Sequence, residues 1–189
     1  YIFGDNGASA EGSLQGTFNE MLPLTGFGQL ETPEFLAAHI DKFGGPEAYN
    51  HYAVGWAHAM DTPYQWTKQV ASHFGGTRNG VAVAWPDRIK DAGGIRPQFS
   101  HVIDVMPTIL EATGIPAPDT LNGIKQSPIE GTSMAYTFDK ANANAPTAHK
   151  TQYFEMMGNR AIYSDGWVAA TTPALAPWQM SAGPAPDLF

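Results

Sequence analysis

Tyr1-Ile2-Phe3 runs directly into Gly4-Asp5-Asn6-Gly7, the pattern of a buried parallel strand that ends in a loop placing oxygen donors. Apolar positions 14, 18, 21 and 22 predict a short helix over residues 13–22, weakened by Gly16. The glycine-rich stretch 25–29 reads as a turn. Thr32-Pro33-Glu34 starts a second helix, with a capping hydroxyl, proline at the first helical position and an acid in the first turn. It is expected to run to Ile40 and to stop at Gly44-Gly45-Pro46. From Tyr49 to Tyr64 aromatic and polar residues mix without a period, which predicts a long loop packed near a site. The Gly75-Gly76 pair predicts a turn with positive φ or a close backbone approach. Val81 to Trp85, closed by Pro86, predicts a central apolar strand.

The apolar face Val102, Val105, Met106, Ile109 and Leu110 predicts a helix within 100–113, ended by Gly114. Pro107 requires that this helix start near Asp104 or kink. Residues 115–129 read as loop, 131–136 as a short capped helix and 141–150 as a surface loop between subdomains. Three strands follow, at 151–156, 160–163 and 167–171. Ser164-Asp165-Gly166 joins the last two as an antiparallel hairpin, in which Tyr163, Trp167 and Val168 are expected in the core. The tail 172–189 has no period. The fold class expected is α/β, a mixed and largely parallel sheet flanked by helices, with residues 1–150 in its main domain and 151–189 in a small antiparallel subdomain. Because the chain opens on a strand, earlier strands of that sheet are expected outside these residues.

Composition narrows the chemistry. The 189 residues carry a formal net charge of −8, which argues against nucleic-acid or anionic-membrane partners through bulk charge. An anionic substrate remains open, since a local metal and a lysine can reverse the field within one pocket. No apolar run reaches the roughly 20 residues of a membrane span, and localisation is left open. The chain has no cysteine, so any metal must use oxygen or imidazole ligands. No GxxxxGK phosphate loop and no GxSxG elbow is present.

Asp5 and Asn6 place a carboxylate beside an amide oxygen, hard donors suited to calcium or magnesium, although the same tripeptide also makes ordinary turns. Lys68, beside Trp66 and ahead of the double glycine, reads either as a solvated lysine or as a cation for a sulfuryl or phosphoryl oxygen. His73 reads as a half-buried hydrogen-bonded ring or as a donor to an anion. Glu11, His58 and Asp61 are weaker candidates, and His39 reads as ordinary.

The order of landmarks adds a further expectation. Gly-Asp-Asn-Gly after a strand, a lysine ahead of Gly-Gly-Thr-Arg, a strand closed by Trp-Pro, Asp-Val-Met-Pro-Thr-Ile-Leu-Glu-Ala-Thr-Gly, then Glu-Gly-Thr-Ser and Arg-Ala-Ile-Tyr-Ser-Asp-Gly-Trp follow one another. Over residues 1 to about 168 this resembles the C-terminal part of a type I sulfatase, an arylsulfatase of the alkaline phosphatase superfamily. The resemblance implies hydrolysis of aryl or carbohydrate sulfate monoesters. It makes Asp5 and Asn6 ligands of a divalent cation, usually calcium, Lys68 a catalytic contact of the sulfate ester and His73 a residue of the substrate pocket. It also implies a formylglycine nucleophile, made from a Cys/Ser-x-Pro-x-Arg motif that these residues lack and that is expected in a missing N-terminal half. A phosphonate monoesterase or phosphodiesterase of the same superfamily, or a non-catalytic binding fragment, are the alternatives.

Overall fold

A computed structural model describes residues 1–173. Its elements are short and belong to a mixed α/β class: β1 (Ile2–Phe3), α1 (Met21–Leu24), α2 (Pro33–Ala38), α3 (Val54–Asp61), α4 (Phe74–Thr77), β2 (Val81–Ala82), α5 (Val105–Thr113), β3 (Thr120–Leu121), β4 (Ile124–Lys125), β5 (Thr151–Met156), β6 (Asn159–Ser164) and β7 (Trp167–Ala170), with 3₁₀ turns between them. The sheets are small: β1 with β2, β3 with β4, and a three-stranded sheet in the order β5-β6-β7.

Several elements form for the reasons legible in the chain. Thr32 caps α2, its hydroxyl accepting from the Phe35 N–H at 3.3 Å, and Pro33 takes the first helical position. Helix α5 begins after Asp104, which leaves Pro107 in its first turn, where no intrahelical N–H is required of it. Two-residue turns at Met157-Gly158 and Asp165-Gly166, all with positive φ, join β5 to β6 and β6 to β7 as antiparallel hairpins.

Other expectations fail, each for an identifiable reason. Of residues 13–22 only Met21 and Leu22 are helical, as the start of α1: Ser13 and Gly16 both have positive φ, and Thr17 bridges to His51 as extended chain. The stretch 49–64 is not loop throughout, since Val54–Asp61 is helical; its alanines favour helix although its apolar residues do not repeat cleanly. Residues 115–129 contain the β3–β4 hairpin around Asn122-Gly123, a turn signal of the same kind as Asp165-Gly166. Of the apolar run 81–86 only Val81–Ala82 pairs, and both residues are exposed. Ile2 in β1 is 78% exposed, because among the described residues β1 and β2 form a two-stranded sheet without a covering layer. Trp167 is 83% exposed and Val168 is also exposed, so neither is a core residue. Tyr163 is half-buried and stacks on Phe99 with ring centroids 3.8 Å apart. The tail lies outside the described residues from position 174 on.

The chain divides into two compact units. One holds Tyr1–Ile2, Val81–Gln152 and Tyr163–Trp167. Its centre is the wholly buried pair Asp104 and Thr108 at the start of α5. The other holds Phe3–Gly80, Tyr153–Ile162 and the described residues from Val168. Its buried residues include Ala10, Thr17, Ala57, Thr67 and Val70.

Candidate functional site

All four candidate residues, Asp5, Asn6, Lys68 and His73, belong to the second unit. The loop after β1 is laid directly on the loop 65–77. Gly7 N–H donates to Gly76 O at 3.0 Å, Lys68 N–H donates to Ala8 O at 2.9 Å, and Gly75 N–H closes the second loop on Gln65 O at 2.9 Å. The backbones approach so closely that a Cβ at Gly7 would fall 1.6 Å from Gly75 O, and one at Gly75 would fall 1.9 Å from Trp66 O. The double glycine therefore serves close approach rather than positive φ, one of the two uses expected of it. Arg78 closes the far end of α4, its guanidinium 5.1 Å from the Tyr64 ring centroid and 5.3 Å from that of Phe74.

Within this frame the half-buried Lys68 is held by an acid 57 positions away in sequence. Its ammonium donates to Glu11 Oε2 at 2.8 Å. The same carboxylate accepts from Ser9 Oγ at 2.8 Å and from Gln69 Nε2 at 2.7 Å. Burial acts to raise the Glu11 pKa, but these three hydrogen bonds and the Lys68 charge together outweigh it and hold the carboxyl below its ordinary value. Among the described residues this is the one hydrogen bond of the Lys68 ammonium, which leaves two of its donors. Trp66 and Gln69, on either side of Thr67-Lys68, have φ of 66° and 77°. A bulky residue in the left-handed region costs on the order of 1–3 kcal/mol and is typical of loops that hold a functional group in place.

His73 precedes α4, its Nδ1 2.8 Å from Ser72 Oγ and its ring 6.2 Å from that of Trp66. Burial lowers its pKa, favouring the neutral ring. Its Nε2 makes no hydrogen bond among the described residues. Asp5 is exposed and Asn6 half-buried. Neither side chain is hydrogen-bonded among the described residues, so both oxygens are available as hard donors. The structure thus brings the Asp5-Asn6 loop and the Lys68–Gly76 loop together, without a hydrogen bond from the Asp5 or Asn6 side chain to Lys68 or His73.

Asp61, at the end of α3, ties into the same frame. Its Oδ1 accepts from Ala8 N–H at 2.8 Å, while its Oδ2 is buried without a partner. Burial pushes this carboxyl up, opposed by the Ala8 N–H and by His58. No group of three His, Asp or Glu side chains converges among the described residues. As donors, Asp5 and Asn6 suit a calcium or magnesium ion in chemistry, and they supply two of the roughly six to eight oxygens that calcium takes.

Two residue groups were not foreseen from sequence. Ser9 and Gln69 complete the Glu11 anchor: Gln69 carries no local signal because its contact spans 58 positions, whereas Ser9 lies two residues from Glu11, within reach of a local turn. In the first unit, the buried Asp104 accepts from His101 N–H at 2.8 Å, Thr132 N–H at 2.7 Å and His149 Nδ1 at 2.8 Å. His149 Nε2 faces Thr151 O at 3.1 Å. His101 and Asp104 form a capping box in the structure, but His-x-x-Asp departs from the Ser/Thr-x-x-Glu/Gln pattern, so the sequence does not mark this acid. His149 sits in a stretch read as surface loop yet is buried.

No protein-family model matches the chain.

Proposed function

We propose that the loops 4–11 and 65–77 form one side of a type I sulfatase site, within an enzyme that hydrolyses sulfate monoesters. One observation carries the reading: backbone hydrogen bonds and side-chain-free glycines clamp the Asp5-Asn6-Gly7 loop onto the Lys68–Gly76 loop. In this reading Asp5 and Asn6 hold the cation, and a bound calcium or magnesium ion supplies charge neutralisation at the sulfuryl oxygens. Glu11 fixes the Lys68 ammonium by one hydrogen bond, and the two remaining donors face the ester. The neutral His73 ring, anchored at Nδ1 by Ser72, lines the pocket and can donate from Nε2. The larger, mainly parallel sheet of the alkaline phosphatase type belongs to the same reading, with β1 and β2 among its strands. The nucleophile, a formylglycine, comes from outside these residues, which have no cysteine and no Ser-x-Pro-x-Arg sequence.

The reading requires a Cys/Ser-x-Pro-x-Arg motif in the reading frame ahead of Tyr1, and the 189-residue chain alone is expected to leave a chromogenic aryl sulfate untouched. In the motif-bearing protein, Asp5→Ala and Lys68→Ala are each expected to lower kcat/KM for that ester by about 10²–10³-fold. Unchanged turnover in both variants, or hydrolysis by the isolated chain, refutes the assignment. Preference for an aryl phosphodiester over the aryl sulfate would move the enzyme to the phosphodiesterase branch while keeping the residue roles.

A further inference from the structure

The first unit carries an open hollow of about 430 Å³, lined by Arg88, Lys90, Tyr136, Asp139, Lys140 and Asn142, among others, with Arg88, Lys90, Asp139 and Lys140 exposed at its rim. It lies wholly within Val81–Gln152 and shares no residue with the site proposed above. Three of the chain's ten lysines and arginines meet here, in a protein of net charge −8. Like charges gathered round one hollow repel one another unless an anion or a structural duty accounts for them.

Structural duty accounts for other residues. The turn 86–90 is closed by Arg88 and Ile89 N–H groups donating to Trp85 O at 2.9 and 2.8 Å. Trp85 packs edge-on against the buried Phe138, ring centroids 6.2 Å apart. Arg96 Nη2 donates to both carboxylate oxygens of Asp91, at 2.9 and 2.8 Å, and its Nε donates to Thr137 O at 2.6 Å, while the Lys140 charge also acts on Asp91. Lys90 donates to Pro86 O at 3.0 Å. The Arg88 guanidinium and the Lys140 ammonium have no hydrogen bond among the described residues. The one carboxylate of the lining, Asp139, has an oxygen committed to Ala141 N–H at 2.9 Å. Asn142 gives its amide N–H to Tyr136 O at 2.9 Å.

We infer that this hollow is a binding site for a tetrahedral oxyanion, the sulfate or phosphate group of a small monoester. Arg88 offers a planar fork matched to two oxygens, and Lys140 and Lys90 add compact charges.

The test is amide-resolved NMR titration of the 189-residue chain with inorganic sulfate, inorganic phosphate, 4-nitrophenyl sulfate and 4-nitrophenyl phosphate. Saturable shifts over residues 86–90 and 135–142 are expected, with an affinity independent of shifts at the loops 4–11 and 65–77. Binding should be at least about tenfold weaker in the Arg88→Gln/Lys140→Gln double variant, since two charge-assisted contacts are lost. It should be stronger in Asp139→Asn and unchanged in Lys125→Gln, which lies on β4 outside the lining. Tighter binding of the esters than of the bare ions assigns a monoester, whereas equal binding limits the site to the free anion and overturns the ester part. Absence of saturable shifts at millimolar concentration, or equal affinity in the double variant with an otherwise unchanged spectrum, overturns the site.

Discussion

Asp104 and Asp61 are both acids withdrawn from solvent, one in each unit, and they are treated in opposite ways. Asp104 is wholly buried and accepts from two backbone N–H groups and an imidazole, so its oxygens are satisfied. Asp61 has one oxygen satisfied by Ala8 N–H and one buried with none. A satisfied buried carboxylate fixes geometry, here the start of α5 against residues 131–134 and 149. An unsatisfied one costs free energy unless a proton or a cation joins it. The same contrast separates the Asp104 centre from the whole loop pair 4–11 and 65–77, where Asp5, Asn6 and two donors of Lys68 are uncommitted. Committed polar groups hold the fold, and uncommitted ones held in strained, glycine-clamped loops are the candidates for chemistry.

The largest test of the contrast is Asp104→Ala. It leaves two N–H groups and an imidazole facing an apolar methyl, and breaking a buried pair in this way costs about 3–5 kcal/mol. Urea denaturation should show the midpoint fall accordingly; a loss below about 1 kcal/mol would mean that the centre holds little. Next comes Gly7→Ala, whose new methyl would meet the carbonyl of Gly75 rather than a flexible side chain. A cost of about 1–3 kcal/mol is expected, as for other forced insertions. Hydrogen exchange sharpens the comparison: the Lys68 N–H that bonds Ala8 O should exchange faster in this variant, and the Thr132 N–H on Asp104 should not.

What the sequence shows of this architecture follows the range of the interactions. Local chemistry was legible: the Thr32-Pro33 start of α2, the Pro107 position in α5, and the β6–β7 hairpin at Asp165-Gly166 each depend on neighbours within a few positions. Helix α3 and the extended run at Thr17 were not, because their apolar spacing is irregular and a bridge to His51 decides the second. Within the candidate site, Asp5, Asn6, Lys68 and His73 could be named from residue type and order. Their arrangement could not, since it rests on contacts such as Lys68 to Glu11 across 57 positions and Ala8 to Asp61 across 53. The exposure of Ile2, Val81 and Trp167 was unreadable for a different reason. An apolar pattern states what a residue would gain by burial and says nothing of whether a covering layer exists.

Glu11→Gln is expected to have a smaller effect, about 0.5–1 kcal/mol, because the ion pair with Lys68 is only half-buried and water screens it. Its pH signature is distinctive. The folded Glu11 carboxyl titrates below its ordinary value, so the pair stabilises above the ordinary carboxylate range and that contribution is lost as pH falls through the folded value. Glu11→Gln should therefore cost the full amount near pH 8 and progressively less as pH falls through the folded value, flattening the acid-side loss of stability; a pH-independent difference would show that the pair acts through packing alone.

The smallest effect on stability, and the sharpest probe of Asp61, is Asp61→Asn. Burial raises the folded Asp61 carboxyl above its ordinary value, so the sign is the reverse of that for Glu11. Below the ordinary value both the folded and unfolded acid are protonated, and the folded state is favoured relative to higher pH; stability is lost as pH rises through the folded value. The amide imitates the protonated acid, keeps an oxygen for Ala8 N–H and puts a neutral group where Oδ2 has no partner. Asp61→Asn should thus lie within about 0.5 kcal/mol of wild type at low pH and become the more stable form as pH rises. Adding calcium at pH 8 divides the two explanations of the orphan oxygen. If a proton satisfies it, calcium leaves the stability of both forms alike. If a cation does, calcium stabilises the wild-type chain selectively and Asp61→Asn loses that gain. A wild-type advantage at pH 8 without calcium would remove the contrast with Asp104, because the unpaired oxygen would then carry no cost.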